Sequence, residues 1–416
     1  MSFPVPSPMP PTSRRYFLAL LAPITLDASW PQWRGEERDG HSDETGLADS
    51  WPVEGPPLLW TNSSIGIGFS SLSTGHGQLF TQGQEGGQQF ILSLNPETGS
   101  ENWRLETGPE YIDEYDFGWG PRGAVTVDGN RLYAYDGRGV LVCADLDGQE
   151  LWRVDTMTEF NGTIPLVGYT ESPLVDGSRV IVQPGGPEAS IVAFNKHTGD
   201  IIWTSGSDPA SYCSAVISEG GGVRQYVTVT ALAVVGLRAD DGEELWRYDG
   251  IINDAGGGIH IATPIVQGDH VFVSSDYGVG CALVKLTDAG EGVTASEVYF
   301  NRDMRNHLAT SILLDGTLYG FSSMIMTAMD FETGAVLWRD RSVGKGQSIL
   351  ADGKLYILSE DGVMGLVRPS RESYRELSRF EIGTREKRTW TLPVVADGRL
   401  YLRDQELLRC YDVTAT

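Results

Sequence analysis

Cysteine is scarce in this chain: Cys143, Cys213, Cys281 and Cys410 are the four among 416 residues. No two are adjacent and none belongs to a Cys-x-x-Cys pair, which excludes a c-type haem attachment site and a zinc knuckle at the motif level. Lysine is scarce too. Lys196, Lys285, Lys345, Lys354 and Lys387 are the only lysines among 31 basic residues, set against 56 acidic ones, for a net charge of −25. Nucleic-acid binding needs clustered Lys and Arg facing phosphate, and an anionic bilayer needs the same, so neither partner is expected. The acidity reads as a solubility feature or the mark of a saline habitat, not as a clue to a substrate. The run Ala19 to Leu26 is short and holds Pro23, so no transmembrane anchor is expected from it. The acidic run Asp113-Glu114-Tyr115-Asp116 lacks the Asp-x-Asp-x-Asp-Gly spacing of a calcium loop and reads as a solvated loop. Ser172 lacks the Gly-x-Ser-x-Gly setting of a hydrolase nucleophile.

Glycine, by contrast, is abundant at 51 residues, and a repeated phrase is built on it. Thr98-Gly99, Asp147-Gly148, Thr198-Gly199, Asp241-Gly242 and Thr333-Gly334 are each followed, four residues after the glycine, by a tryptophan: Trp103, Trp152, Trp203, Trp246 and Trp338. The period is roughly 40–50 residues, the mark of a repeat architecture. A second phrase, Asp-Gly before a branched or aromatic run, recurs at Asp128, Asp176, Asp315, Asp352 and Asp397 and predicts hairpins. Alignment on the turn glycine gives a column of small residues (Ser93, Cys143, Ala193, Gly236, Ala328, Cys410). Two positions on is a column of mostly Asn or Asp (Asn95, Asp145, Asn195, Asp330, Asp412), with Arg238 the exception. Small residues on one face of a strand suit close approach of a neighbour, which makes Cys143 and Cys410 packing residues. An Asx at a strand end is placed to bond the following turn.

Each unit supplies about four strands, and a four-stranded sheet repeated radially is a propeller blade. The turn phrases mark eight units, near Gly77, Gly129, Gly177, Gly221, Gly268, Gly316, Gly353 and Gly398. The fifth and seventh lack the tryptophan, and Val298-Tyr299-Phe300 and Leu377 to Phe380 are expected to replace its strand. The eighth ends after Cys410-Tyr411-Asp412 without a fourth strand, while Pro57-Leu58-Leu59-Trp60 stands unassigned at the other end. The expected fold is therefore all-β: an eight-bladed β-propeller of four-stranded blades over 57–416, its ring closed by the N-terminal strand. A lead-in segment, 30–56, precedes it.

The phrase Ala-x-Asp-x-x-Thr-Gly-x-x-x-Trp resembles the PQQ-like β-propeller repeat of the quinoprotein alcohol dehydrogenase-like superfamily, over roughly residues 57–416. Trp30-Pro31-Gln32-Trp33-Arg34-Gly35, with Asp39-Gly40 after it, is similar to the segment before the propeller in a group of exported PQQ-like repeat proteins. The resemblance leaves two functions open. Dehydrogenases of the superfamily hold pyrroloquinoline quinone (PQQ) and Ca²⁺ in the central funnel, with a catalytic Asp, a Glu/Asn/Asp calcium set, a stacking Trp and adjacent cysteines. This chain has no adjacent cysteines and is short for that class. Binding members, such as the lipoprotein of the outer-membrane barrel-assembly machinery, keep the repeat without the cofactor. The chain shows no lipobox-like cysteine near its start. The expectation is an exported, non-catalytic binding or scaffold protein. Its partner would be an unidentified protein or a small polar ligand. A PQQ-dependent alcohol or sugar dehydrogenase with a reduced funnel is the alternative.

Export is read from residues 1–29. Ser13-Arg14-Arg15-Tyr16-Phe17-Leu18 before the apolar run resembles a twin-arginine signal, which implies a periplasmic or other extracytoplasmic location. The site is read from the repeat. Loops joining one blade to the next line the mouth of a propeller's channel, and loops on a rigid scaffold carry function. Five to nine positions before the turns stand Phe69, Ser70, Arg122, Glu171, Tyr212, His260, Asn306, His307, Lys345 and Trp390. Arg122, Glu171, Tyr212, His260, His307, Lys345 and Trp390 are expected to converge on one rim. There they would form a polar, aromatic ligand site with Trp390 as a stacking face. No catalytic set and no metal site is expected: His260, His307 and Glu171 have no ligand spacing that supports one.

Overall fold

The computed structural model describes residues 30–112, 119–252, 258–290, 292–383 and 388–415. The paired arginines at 14 and 15 and the acidic run 113–116 lie outside the described residues. The chain forms eight sheets arranged in a ring. Blade 1 runs from Ser73 to Pro109, blade 2 from Thr126 to Asp155, blade 3 from Leu174 to Ser205 and blade 4 from Val216 to Tyr248. Blade 5 spans Ile265–Asn301, blade 6 Ile312–Asp340, blade 7 Gly346–Glu381 and blade 8 Val394–Asp412. Each is an antiparallel meander, and first strands meet around the axis between blades 1 and 2, 2 and 3, 4 and 5, and 6 and 7. Blade 8 takes its fourth strand from Leu58–Asn62, which pairs Leu58 with Tyr411 and Trp60 with Cys410. Buried Arg403 clasps the same seam. From blade 8 it donates to the carbonyls of Gly66, Ser70 and Gln82 and to Thr81 Oγ1 in and before blade 1.

The Asp-Gly phrase makes two different hairpins. In blades 6, 7 and 8 both residues take positive φ between the paired positions: Asp315 at 47° with Gly316 at 70°, Asp352 at 46° with Gly353 at 68°, and Asp397 at 54° with Gly398 at 68°. That is the left-handed two-residue turn matched to strand twist. In blades 2 and 3 the Asp instead ends the first strand, pairing Asp128 with Arg131 and Asp176 with Arg179, so only the glycine needs positive φ.

The small-residue column also has a cause within the blade. Ser93, Cys143, Ala193, Gly236, Ala328 and Cys410 lie directly opposite Trp103, Trp152, Trp203, Trp246, Trp338 and Trp60, each beside a bulge. In blade 4 the indole leans across its own cross-strand partner: a Cβ on Gly236 would sit 2.1 Å from Trp246 Nε1. Most rings also reach into the next blade. Trp60, Trp103, Trp152 and Trp203 lie against Gly99, Gly148, Gly199 and Gly242. Their indole N–H groups donate to the carbonyls of Pro96, Leu146, Lys196 and Ala239. In blade 5 Tyr299 takes the role: its ring meets Gly334 and its hydroxyl donates to Phe331 O at 2.9 Å. The Asx column bonds its own turn as expected, with Asn95 and Asp330 side chains accepting amides two or three residues on.

The lead-in segment enters the channel. Trp30 exchanges bonds with Thr74 of blade 1, and Pro31 O accepts from Val127 of blade 2. Arg38 donates to the carbonyls of Ser172, Pro173 and Ala215 at blades 3 and 4. Trp33 Nε1 bonds Thr263 Oγ1 at blade 5, and Arg34 reaches Thr310 O and Ser311 O at blade 6. His41–Ser42 adds a parallel strand inside Gly346–Ala351 of blade 7, and Glu44 accepts the amides of Asp397 and Gly398 of blade 8. Trp30, Arg34 and Arg38 are buried. The segment is a plug whose polar groups satisfy the inner strands that a hollow channel would leave to water. Burial lowers the pKa of Arg34 to about 10 and of Arg38 to about 9. Both guanidinium groups stay charged at neutral pH, spread over backbone carbonyls.

Candidate functional site at the channel mouth

The plug fills one part of the channel and leaves a blind cavity of about 810 Å³ at the other, with Trp33 in its floor. Its walls come from the loops that enter successive blades: Phe69, Arg122, Thr170, Tyr212, Ile259, Ile261, His307, Leu308 and Trp390, joined by Tyr277, Gln347 and Arg388. The loops hold one another. Thr170 Oγ1 donates to Tyr212 O at 2.6 Å, Arg122 Nε to Val167 O at 3.2 Å, and Gln347 Nε2 to the carbonyls of Leu308 and Trp390 at 3.1 and 3.2 Å. An aromatic wall forms where Phe69 and Trp390 meet at 5.3 Å between centroids, with the Arg122 guanidinium 4.5 Å above Phe69. Tyr277 and His307, also in the lining, are joined by a 2.8 Å hydrogen bond.

Of the seven residues expected at the rim, Arg122, Tyr212, His307 and Trp390 line this cavity. Glu171, His260 and Lys345 lie behind its wall. Glu171 turns back to accept the Gln183 amide of its own blade. His260 Nδ1 bonds Ser275 at 3.0 Å. Lys345 pairs with Glu360 at 3.1 Å, and Glu360 also takes Arg388 and the Trp390 N–H, fixing that ring from behind. Some of the lining residues that sequence reasoning missed stand one step away: Thr170 beside Glu171, Ile259 and Ile261 around His260. Successive side chains of an extended loop point to opposite faces. Gln347 and Arg388 stand two positions from Lys345 and Trp390, whereas Trp33 and Tyr277 come from outside the aligned loops, and Trp33 carried no signal beyond its place in the Trp30-Pro31-Gln32-Trp33 segment.

Burial governs the ionisable groups behind the wall. It pushes the Glu171 carboxyl up to about 8, against the opposing pull of Arg38, and holds His260 down to about 4 and so neutral. Between its unfolded value of about 4.5 and about 8, the folded state keeps a Glu171 proton that the unfolded chain releases, so this group's contribution is lost as pH rises. For His260 the sign is opposite: its contribution is lost as pH falls from about 6.5 towards about 4. Glu171→Gln keeps the acceptor for Gln183 and removes the titration. It is expected to be more stable than wild type by roughly 2–4 kcal/mol at pH 8 and nearly equal to it at pH 5. Denaturant midpoints at both pH values check this; a constant difference would show that Glu171 titrates normally.

A ring of eight PQQ-like repeats with a plugged channel and a one-ended cavity defines the class. Residues 87–340 match the PQQ-like repeat family described as outer membrane protein assembly factor BamB, and the chain belongs to that family. It is 23% identical over 291 residues to the outer membrane protein assembly factor BamB of Yersinia pestis, covering 67% of this chain and 70% of that one. Among solved structures, BamB from Moraxella catarrhalis superposes with a TM-score of 0.58 at 15% identity, over 84% of this chain and 98% of that one. Quinohemoprotein alcohol dehydrogenase from Comamonas testosteroni gives 0.64 at 12% identity, over 94% and 81%. At such identities the structural likenesses speak for the fold alone.

The dehydrogenase cofactor can be tested against the residues present. Ca²⁺ takes about six to eight oxygen ligands, carboxylates prominent among them. Among the described residues the cavity is lined by no Asp or Glu, and no group of three His, Cys, Asp or Glu side chains is placed to hold a metal. Glu171 and Glu360 face away and are engaged elsewhere. The described lining does not fit a calcium-bound quinone.

Proposed function

We propose that this protein is an exported binding or scaffold protein that receives a partner's loop or a small ligand in the mouth cavity and performs no chemistry on it. One observation carries the reading: a rigid, plug-floored cavity of about 810 Å³ with aromatic and aliphatic walls, within the size range of ligand sites. Family membership supports a role in an assembly with other proteins, since the relatives are named as assembly factors. The resemblance of Arg14-Arg15 and the run after it to a twin-arginine signal supports delivery outside the cytoplasm. Among the described residues no helix is long and apolar enough to cross a membrane.

The test is direct. Purified protein supplied with PQQ and Ca²⁺ and offered alcohols and sugars is expected to reduce no electron-accepting dye. Quinone-dependent turnover above a protein-free control would overturn the reading in favour of a dehydrogenase.

A further inference from the structure

The polar side chains of the mouth narrow the class of ligand, resting on the reading of the mouth as the binding site, because they are already engaged with the protein. Thr170 Oγ1 donates to Tyr212 O. Ser214 Oγ accepts from the Ser172 amide and Thr263 Oγ1 from the Trp33 indole, and both residues are buried. Gln347 Nε2 is shared between two carbonyls, and Tyr277 and His307 bond each other. Gln347 Oε1 and His307 Nδ1 have no bonding partner among the described residues, but both atoms are closed to solvent. The cations of the lining are held as well. Arg122 lies over Phe69 and donates to Val167 O, and Arg388, its side chain 65% exposed, pairs with Glu360. The described surface left to face the cavity is apolar or aromatic: Trp33, Phe69, Ile259, Ile261, Leu308 and Trp390. A charge of either sign entering here would give up hydration with no counter-group waiting for it. Apolar surface, by contrast, is favoured in proportion to the area it removes from water.

We propose that the mouth cavity binds a small, uncharged, largely apolar molecule with a flat ring system. Its ring packs on the Phe69–Trp390 wall and the Trp33 floor, where aromatic faces offer offset or edge contacts. A blind recess of about 810 Å³ is of the size that encloses a small molecule. A sugar is disfavoured, since its hydroxyls would lie against aliphatic side chains without partners.

Two fluorescent probes share one ring system and differ by a single charge: N-phenyl-1-naphthylamine is neutral, and 1-anilinonaphthalene-8-sulfonate is its anionic counterpart. In fluorescence titrations the neutral probe is expected to bind at least about tenfold more tightly than the sulfonate. A roughly tenfold rise in salt should leave its affinity within about twofold, since no ion pair holds it. Ile261→Lys and Leu308→Lys each place a charge at a part-exposed wall position, and each is expected to weaken the neutral probe at least about tenfold. Circular dichroism melts check that these variants fold. If one does not, the other carries the test; if neither does, the ratio of the two probes on the wild-type protein decides it. A sulfonate that binds as tightly as the neutral probe, or a neutral probe indifferent to both folded variants, overturns the proposal. If the sulfonate binds the more tightly and Trp390→Ala abolishes that binding, the mouth stands as a binding site and only the uncharged class falls. If neither probe binds, both fall.

Discussion

A chain that starts at Ser63 is expected to show no cooperative unfolding transition, whereas one that starts at Trp30 should melt within a few degrees of the full-length protein. The first truncation removes Leu58–Asn62, the fourth strand of blade 8, and the plug with it. Two sheet edges open at the seam, and an exposed edge invites association with other chains. Trp60 no longer covers Cys410 or meets Gly99, so the blade 8–blade 1 contact loses the ring that other seams keep. Without the plug, the inner-strand carbonyls bonded by Arg34 and Arg38 must find water in the channel. Domain stability is about 5–15 kcal/mol, and these losses together are of that order. A chain starting at Pro56 separates them: it keeps the strand, lacks the plug and the Trp33 floor, and should melt cooperatively at a lower temperature. Circular dichroism melts of the three chains check the series. A cooperative, near-native transition for the chain starting at Ser63 would show that neither element closes the ring.

Most of the ring was legible in the sequence because its causes are local and repeated. A turn glycine, an Asx that bonds the turn and a tryptophan four residues on recur in most blades, and the strand Val298-Tyr299-Phe300 was recognisable as the replacement in blade 5 by its place in the unit. Closure was legible for the same reason, since a unit short of one strand and a strand short of a unit complete each other. The plug was not. Its contacts span separations such as Arg34 to Thr310 and Trp33 to Thr263, and it repeats nothing, so no periodicity marks it. Tertiary bonding alone makes Arg34 and Arg38 buried residues. At the mouth the turn phrase marks the loops, but the face that each side chain takes depends on the loop's exact register. Arg122, Tyr212, His307 and Trp390 line the cavity, while Glu171, His260 and Lys345 lie behind the wall.

Trp203→Ala is expected to cost about 3–5 kcal/mol, the range for truncating a buried aromatic ring. The indole covers Ala193 opposite it, stacks on Tyr226 at 6.2 Å between centroids, and crosses to blade 4, where its N–H donates to Ala239 O at 3.1 Å. A Cβ on Gly242 would come within 2.5 Å of the ring, so no small rearrangement of that turn fills the void left by truncation. Trp152 makes the same set of contacts with Cys143, Gly199 and Lys196 O but is only half-buried, so Trp152→Ala should fall at or below the lower end of that range. Tyr299→Phe, which keeps the ring and removes only the bond to Phe331 O, should cost about 1 kcal/mol. Denaturant unfolding of the three variants should therefore rank Trp203→Ala, Trp152→Ala and Tyr299→Phe in descending order of loss. If both tryptophan variants kept wild-type midpoints, the blades would have to be held together by their strand faces alone, and the repeated tryptophan would need another explanation.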